Sequence, residues 1–235
     1  MKKSLLVLAV VAAFAPVLAQ AEAGDFVVRL RATNVSPDES SKLGSQTDAS
    51  LPTGSLGSGL VTSTTLYGST AAELRVDSNT IPEIDVSYYF TKNIAAELIL
   101  AVGTRHDVTV TPGTSLAKNL GSVNLLPPTL TGQWHFNPDQ TFDPYVGAGL
   151  SYIRAMDNGL KAENGLPIRI SRNSFGPAIQ AGFDYNLPDR WLINVDIKKI
   201  WFDTKVDANV GGTWTKIDQL GVDPWVVSVG FGKKF

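Results

Sequence analysis

The thirteen residues that close the chain, Asp223 to Phe235, constrain its fold more than any other stretch. Trp225, Val227, Val229, Phe231 and Phe235 share one parity, while Ser228, Gly230, Gly232 and Lys234 share the other. A strand sends successive side chains to opposite faces, so this segment turns hydrocarbon to one side and a polar, crowded space to the other. A soluble protein rarely leaves its final strand so apolar on one face and so unprotected. The pattern is that of a membrane-barrel strand whose apolar side meets lipid.

The first residues supply the compartment. Lys2 and Lys3 precede an apolar run from Leu5 to Ala19, and Ala19-Gln20-Ala21 has the small-x-small form of a cleavage signal. The run falls short of the ~20 residues of a spanning helix, which argues against an uncleaved anchor. Residues 1–21 therefore read as a cleaved secretory signal peptide and 22–235 as one outer-membrane domain, with Ala21-Glu22-Ala23 as a competing cleavage point. The chain has no cysteine, which excludes disulfides and thiolate metal sites and suits passage through an oxidising periplasm. It carries 20 basic and 22 acidic residues with no basic block, which argues against nucleic acid as a partner. Beyond the signal there is no apolar run near ~18 residues, so a membrane would have to be crossed by a barrel.

Period-2 patterning picks out segments near 25–34, 80–90, 93–104, 126–136, 143–154, 174–186, 191–203 and 223–235. Strands of about ten residues in that number predict an all-β, eight-stranded antiparallel up-and-down transmembrane β-barrel. Thr91-Lys92, Asn137-Pro138-Asp139-Gln140 and Asn186-Leu187-Pro188-Asp189-Arg190 are tight turns built from turn formers. The connections 35–79, 105–125, 155–173 and 204–222 are long and rich in Gly, Ser, Thr and Asn. Short periplasmic turns and long external loops set the orientation and leave both termini periplasmic. Connection 35–79 contains Gly54-Ser55-Leu56-Gly57-Ser58-Gly59 and reads as a mobile external loop; a short hairpin over Leu60 to Tyr67 is left open.

Large aromatics on the outward parity fall at strand ends. Phe26, Tyr88, Phe90, Trp134, Phe136, Phe183, Tyr185, Trp191 and Phe235 lie toward the short turns, and Tyr152, Phe175, Trp201 and Trp225 toward the opposite rim. Two aromatic belts around an aliphatic band match the two interfaces of a bilayer. Only Trp214, among the tryptophans, falls in a loop. A lipocalin-like soluble barrel would instead hold its large apolar residues inside and leave these belts in water.

Several words now have places. Ala23-Gly24-Asp25-Phe26 opens the first strand, Leu126-Pro127-Pro128-Thr129-Leu130 the fourth, and Asp223-Pro224-Trp225 the last; Pro144-Tyr145-Val146-Gly147-Ala148-Gly149 lies in the fifth. With Phe183-Asp184-Tyr185 and the terminal Phe235, their order and spacing resemble the OmpW family of outer-membrane proteins over nearly the whole mature chain. The resemblance implies a narrow, largely hydrophobic lumen that admits small hydrophobic molecules, and in some members a receptor role for colicins or phage or a part in envelope stress. Two departures stand out. Gly103 occupies the outer end of the third strand where the family often has proline, and Lys233 stands third from the end where such barrels usually carry an aromatic. The final strand is the element that the barrel-assembly machinery would engage.

Inward parity places Arg29, Asp85, Glu97, Gln133, Gln180, Asp196 and Lys198 in the lower and middle lumen. Opposite charges enclosed in so narrow a space must pair, so they read as a polar plug rather than an ion filter, in a barrel small enough for side chains to fill. Toward the outside the same parity gives Ile99, Ala101, Ile153, Ile200, Phe202 and Val226, a pocket for a small greasy molecule. Pro127 and Pro128 cannot donate to a strand ladder, and Gly103 weakens the strand expected beside them. Those three residues mark either a lateral exit into the bilayer or a ragged strand top.

No catalytic constellation is legible. The two histidines, His106 at the external end of the third strand and His135 near the periplasmic end of the fourth, should lie about 20 Å or more apart. His106 beside Arg105 reads as a rim residue, and without a His pair or cysteine a transition-metal site lacks support. Lys199 falls on the lipid parity, where it would snorkel to the outer rim within reach of lipopolysaccharide phosphates. The expectation is a non-enzymatic, cofactor-free outer-membrane channel for small hydrophobic solutes, set in outer-membrane lipid and lipopolysaccharide. The alternative is an envelope or receptor protein acting through its external loops.

Overall fold

The computed structural model describes residues 22–51, 62–101, 103–111, 118–162 and 165–235. The expected signal peptide and the glycine-rich run 54–59 lie outside the described residues. The chain forms β1 (Phe26–Ser36), α1 (Leu43–Ser50), α2 (Ser63–Tyr67), β2 (Glu73–Val76), β3 (Asn79–Tyr89), β4 (Ile94–Ala101), β5 (Thr104–Thr111) and β6 (Lys118–Leu126). It continues with β7 (Thr129–His135), β8 (Phe142–Asp157), β9 (Gly159–Lys161), β10 (Pro167–Ile170), β11 (Asn173–Asn186), β12 (Trp191–Ile200), β13 (Asp203–Val210), β14 (Thr213–Gly221) and β15 (Trp225–Lys234).

Eight antiparallel strands close on themselves in the order β11-β12-β15-β1-β3-β4-β7-β8, with β8 pairing back to β11. These are the eight segments expected from alternation. Among the described residues no helix is long and apolar enough to span a membrane. At the end with the short turns, the first and last strands are tied by backbone bonds: Phe235 N–H donates to Phe26 O at 2.7 Å and Phe26 N–H to Phe235 O at 3.2 Å. In the turn between β11 and β12, Asp189 and Arg190 take φ of 58° and 64°, a left-handed region that short polar residues such as Asp tolerate.

The two faces of the wall separate cleanly. Outward positions are aliphatic through the middle, including Leu30, Leu98, Val146, Ile193 and Val229. Trp134, Trp191, Trp201 and Trp225 are 47%, 43%, 39% and 47% exposed, so all four point away from the barrel axis. The belt aromatics pair across neighbouring strands, with ring centroids 4.8 Å apart for Phe26–Tyr88 and for Tyr152–Phe175. Phe142, stacked on Phe183 at 5.1 Å, belongs to the same girdle and was missed because it stands at the edge of its segment. Inside, small residues face large ones. Gly230 and Gly232 of β15 stand opposite Arg31 and Arg29 of β1, and a β-carbon on either would come within 2.8 Å and 2.7 Å of the arginine Cγ. The glycines on the crowded parity of the last strand are therefore the space that two arginines occupy.

The long connections depart from expectation. Rather than a mobile loop, 35–79 contains α1, α2 and β2; the open hairpin over 60–67 is replaced by the short helix α2 over its described part. The other three connections contain the hairpins β5–β6, β9–β10 and β13–β14. β6, β5 and β2 extend the barrel sheet from the top of β8, and β14-β13-β10-β9 form a second sheet. Leu43, Leu66, Leu74, Val110, Leu120, Ile168, Val206 and Ile217 are buried between these elements, in one cluster with Ile153, Ile200, Phe202 and Val226 of the barrel mouth. Abundant Gly, Ser, Thr and Asn disguised short alternating runs whose apolar parity packs into a cap.

Candidate functional site: an apolar chamber above an ionic layer

Alternation sends Arg29 and Arg31 of β1 into a lumen too narrow for water to solvate them, so each must find anions on other strands. Arg29 lies 2.9 Å from Asp85 on β3 and 2.7 Å from Asp184 on β11. Arg31 lies 2.6 Å from Glu83, 3.0 Å from Asp85 and 3.2 Å from Glu97 on β4. Lys198 on β12 pairs with Asp196 and lies 3.7 Å from Glu97. Tyr145 of β8 donates to Asp196 at 2.8 Å, and Asn194 donates to Asp184 at 2.8 Å while accepting from Arg31 at 3.2 Å. The network thus ties six of the strands across the lumen. Three cations meet five carboxylates, and all of these groups are buried.

Each of Arg29, Asp85, Glu97, Gln133, Gln180, Asp196 and Lys198 is buried inside the barrel, the placement their parity predicted. Arg31, Glu83, Asp184 and Asn194 were missed, although they lie two or four residues from the named ones on the same strands and parity. His135, below this layer, has its Nδ1 2.8 Å from Asp143 Oδ2 and its Nε2 3.1 Å from the Tyr89 hydroxyl. Nothing in the sequence joins His135 to a carboxylate, because Asp143 lies across a turn on the next strand. Donor atoms of His135, Asp143 and Asp184 lie within 4.8 Å of one another. Both oxygens of Asp184 already accept from Arg29, and Oδ1 also from Asn194, so this carboxylate is engaged by a guanidinium whose charge would repel a cation.

Directly above, Ile99, Ala101, Ile153, Ile200, Phe202 and Val226 all line one cavity of about 60 Å³, with Lys198 and Glu83 of the ionic layer also in its wall. A single water needs only ~10–15 Å³, so the chamber has room for a small molecule, and its apolar wall offers water few partners. A second apolar cavity of about 30 Å³ lies within the cap and shares Val76, Leu125, Ile153, Phe202 and Val222 with the first. His106 is a correction: it is buried and lines the lower cavity, its Nδ1 2.8 Å from Asp77 O, because its strand continues inward parity into the cap. Lys199 is another. Its ammonium lies 3.1 Å from Asp38 and 4.9 Å from the Trp225 ring and is covered by the cap, so it does not snorkel to the rim.

Among the described residues, which leave out residue 102, the wall of the lower cavity has an interval without a ladder. β4 and β7 pair from Ile94↔Trp134 up to Ile99↔Thr129, and pairing resumes only between β5 and β6 at Thr104↔Leu125. Pro127 and Pro128 occupy one side of that interval, where neither has an N–H to donate, and Pro127 lines the cavity. Gly103 sits at the junction of β4 and β5, not directly opposite the prolines; a β-carbon there would lie 2.7 Å from Asn124 Oδ1.

The fold is shared with known proteins. The model of the OmpW family matches residues 22–235. Outer membrane protein W of Escherichia coli is 34% identical over 218 residues, covering 91% of this chain and 90% of the relative. An uncharacterized outer-membrane protein, y4mB, of Sinorhizobium fredii is 38% identical over 172 residues, 72% of each chain. The crystal structure of OprG from Pseudomonas aeruginosa superposes with a TM-score of 0.73 at 31% identity, covering 92% of this chain and 98% of that one. The chain belongs to the OmpW family of outer-membrane β-barrel proteins.

Proposed function

We propose that the protein is a passive channel that carries small hydrophobic molecules, chemically unchanged, through the outer leaflet of the outer membrane. With the short turns and both termini periplasmic and the cap outside, a solute enters the upper cavity, passes to the chamber of Ile99, Ala101, Ile153, Ile200, Phe202 and Val226, and meets the ionic layer. Arg29, Asp85, Glu97, Gln133, Gln180, Asp196 and Lys198 act there as a plug, because an uncharged solute cannot replace the ion pairs it would have to break. The remaining way out is sideways, through the unpaired interval bounded by Gly103, Pro127 and Pro128. One observation carries this reading: the apolar chamber stands between an ionic floor and a stretch of wall that, among the described residues, lacks ladder bonds.

The test is uptake of a hydrophobic fluorescent tracer by whole cells with and without the protein, paired with ion conductance of the purified protein in planar bilayers. Faster uptake without conductance steps is expected. Uptake no faster than in cells lacking the protein, or steady ion conductance, would overturn the reading.

The cap's own core favours a second reading, in which the barrel anchors a folded external body that binds a partner. Deleting the β13–β14 hairpin would then abolish partner binding and leave tracer uptake unchanged. In either case the final strand, whose end closes the barrel through Phe235, is the part that the assembly machinery would engage.

A further inference from the structure

We propose that the outer side of the cap carries a binding site for the phosphorylated glucosamine headgroup of lipid A, above the belt formed by Tyr152 and Phe175. The inference rests on the orientation proposed above, with the cap outside. Tyr152 and Phe175 stack at 4.8 Å on the lipid face, and the Tyr152 hydroxyl donates to Asn173 Oδ1 at 2.6 Å. Asn173 opens β11 and forms part of a polar cleft of about 390 Å³ with Asn158, Arg169, Ser171 and Arg172. Rings of a belt sit at headgroup level, so this cleft begins where the hydrocarbon ends.

The chemistry of the cleft is that of a sugar-phosphate site: two guanidinium groups, two amides and a hydroxyl, with Asp207 as its one carboxylate. Asp207 is not a free anion, since it accepts from both Nε and Nη2 of Arg169 at 3.1 Å. Arg169 is further fixed by stacking 4.1 Å over the Trp214 ring, and among the described residues its Nη1 has no partner and can donate while the other nitrogens hold it in place. Trp214, unexplained by any belt, thereby gains a role as the platform that orients this arginine.

Arg172 is exposed, and among the described residues its side chain has no hydrogen bond or ion pair. The same is true of Arg154, which stands directly opposite Asn173 in the β8–β11 ladder. Ser171 N–H donates to Lys205 O, which brings a further exposed lysine beside the cleft. The described exposed or part-exposed charges on this flank are the basic Arg154, Lys161, Arg169, Arg172, Lys205 and Lys216 against the acidic Asp157, Asp203 and Asp207. Among the described residues this flank carries three more positive than negative charges, which is complementary to a doubly phosphorylated lipid.

The experiment uses the full barrel in detergent, titrated with bisphosphorylated lipid A and read by native mass spectrometry. Dephosphorylated lipid A and phosphatidylglycerol serve as parallel probes. Wild type should hold one lipid A, and Arg154→Gln with Arg172→Gln should weaken it at least about tenfold, as loss of one or more charged hydrogen bonds implies. R172K should retain most of the affinity, and R75Q, on β2 and not among the cleft residues, should change nothing. Both arginines of the double variant are exposed and unpaired, so it should fold; R169Q is the second variant, with folding checked by resistance of the barrel to detergent denaturation. Binding of dephosphorylated lipid A as tight as that of the phosphorylated form, equal binding of phosphatidylglycerol, or an unweakened double variant would each overturn the site. Protease access to a site inserted at Gly211-Gly212 on whole cells reports the orientation separately, and tracer uptake reports transport separately.

Discussion

Arg29 Nη2 and Asp184 Oδ2 meet at 2.7 Å across the lumen, joining β1 to a strand three places away around the barrel. Their contact is the centre of the layer that divides the interior into a chamber above and a histidine-containing polar cluster below. Burial makes the pair costly to break. Arg29→Met leaves Asp184 and Asp85 without their principal cation, and should lower stability by about 3–5 kcal/mol. Urea unfolding in lipid vesicles measures it; adding Asp184→Leu should recover part of the loss, which a double-mutant cycle would reveal as coupling.

The lipid face predicts a dependence on depth. Val229 lies midway along β15, opposite Ala32 and Val195, whereas Phe90 lies by a short turn. Val229→Arg should cost about 2–4 kcal/mol and Phe90→Arg about 0–1 kcal/mol for the charge. Equal costs in vesicle unfolding would contradict the assignment of belts and band.

Ile153 is one of five residues that line both cavities, so it stands where the proposed route passes from one to the other. Ile153→Trp should reduce tracer uptake toward that of cells lacking the protein, while overpacking costs about 1–3 kcal/mol and leaves the barrel folded. Tracer uptake and heat-modifiable migration of the folded barrel distinguish blockage from misfolding.

Pro127→Val with Pro128→Val returns two donors to the unpaired interval. Valine also favours the strand, so the ladder between β4 and β7 should extend past Thr129. Uptake should slow and amide exchange of residues 127–128 should become measurable and protected. Unchanged uptake with a protected ladder would remove the lateral route.

The barrel was legible because period-2 alternation survives wherever one face meets lipid, and the eight segments carry it from Phe26 to Phe235. The ionic layer was legible in part. Parity alone named Arg29, Asp85, Glu97, Asp196 and Lys198, but Arg31 and Glu83 escaped because nothing in one strand shows which inward residue its neighbours will meet. The cap was hidden for a different reason. A strand such as Pro167–Ile170 is too short to display a period, and one of its two partners, β13, lies in another connection, so only pairing makes it a strand. His106 and Lys199 were misplaced by the same cause, since each is buried by cap elements the sequence did not announce.

The absence of cysteine gives a direct test of sideways release. Ala101→Cys and Pro127→Cys place a pair of thiols across the unpaired interval, both on the cavity wall, without background disulfides. Once oxidation is confirmed by mass spectrometry, the account predicts that hydrophobic tracer uptake falls to the level of cells lacking the protein and returns on reduction. Undiminished uptake through the stapled wall would contradict it.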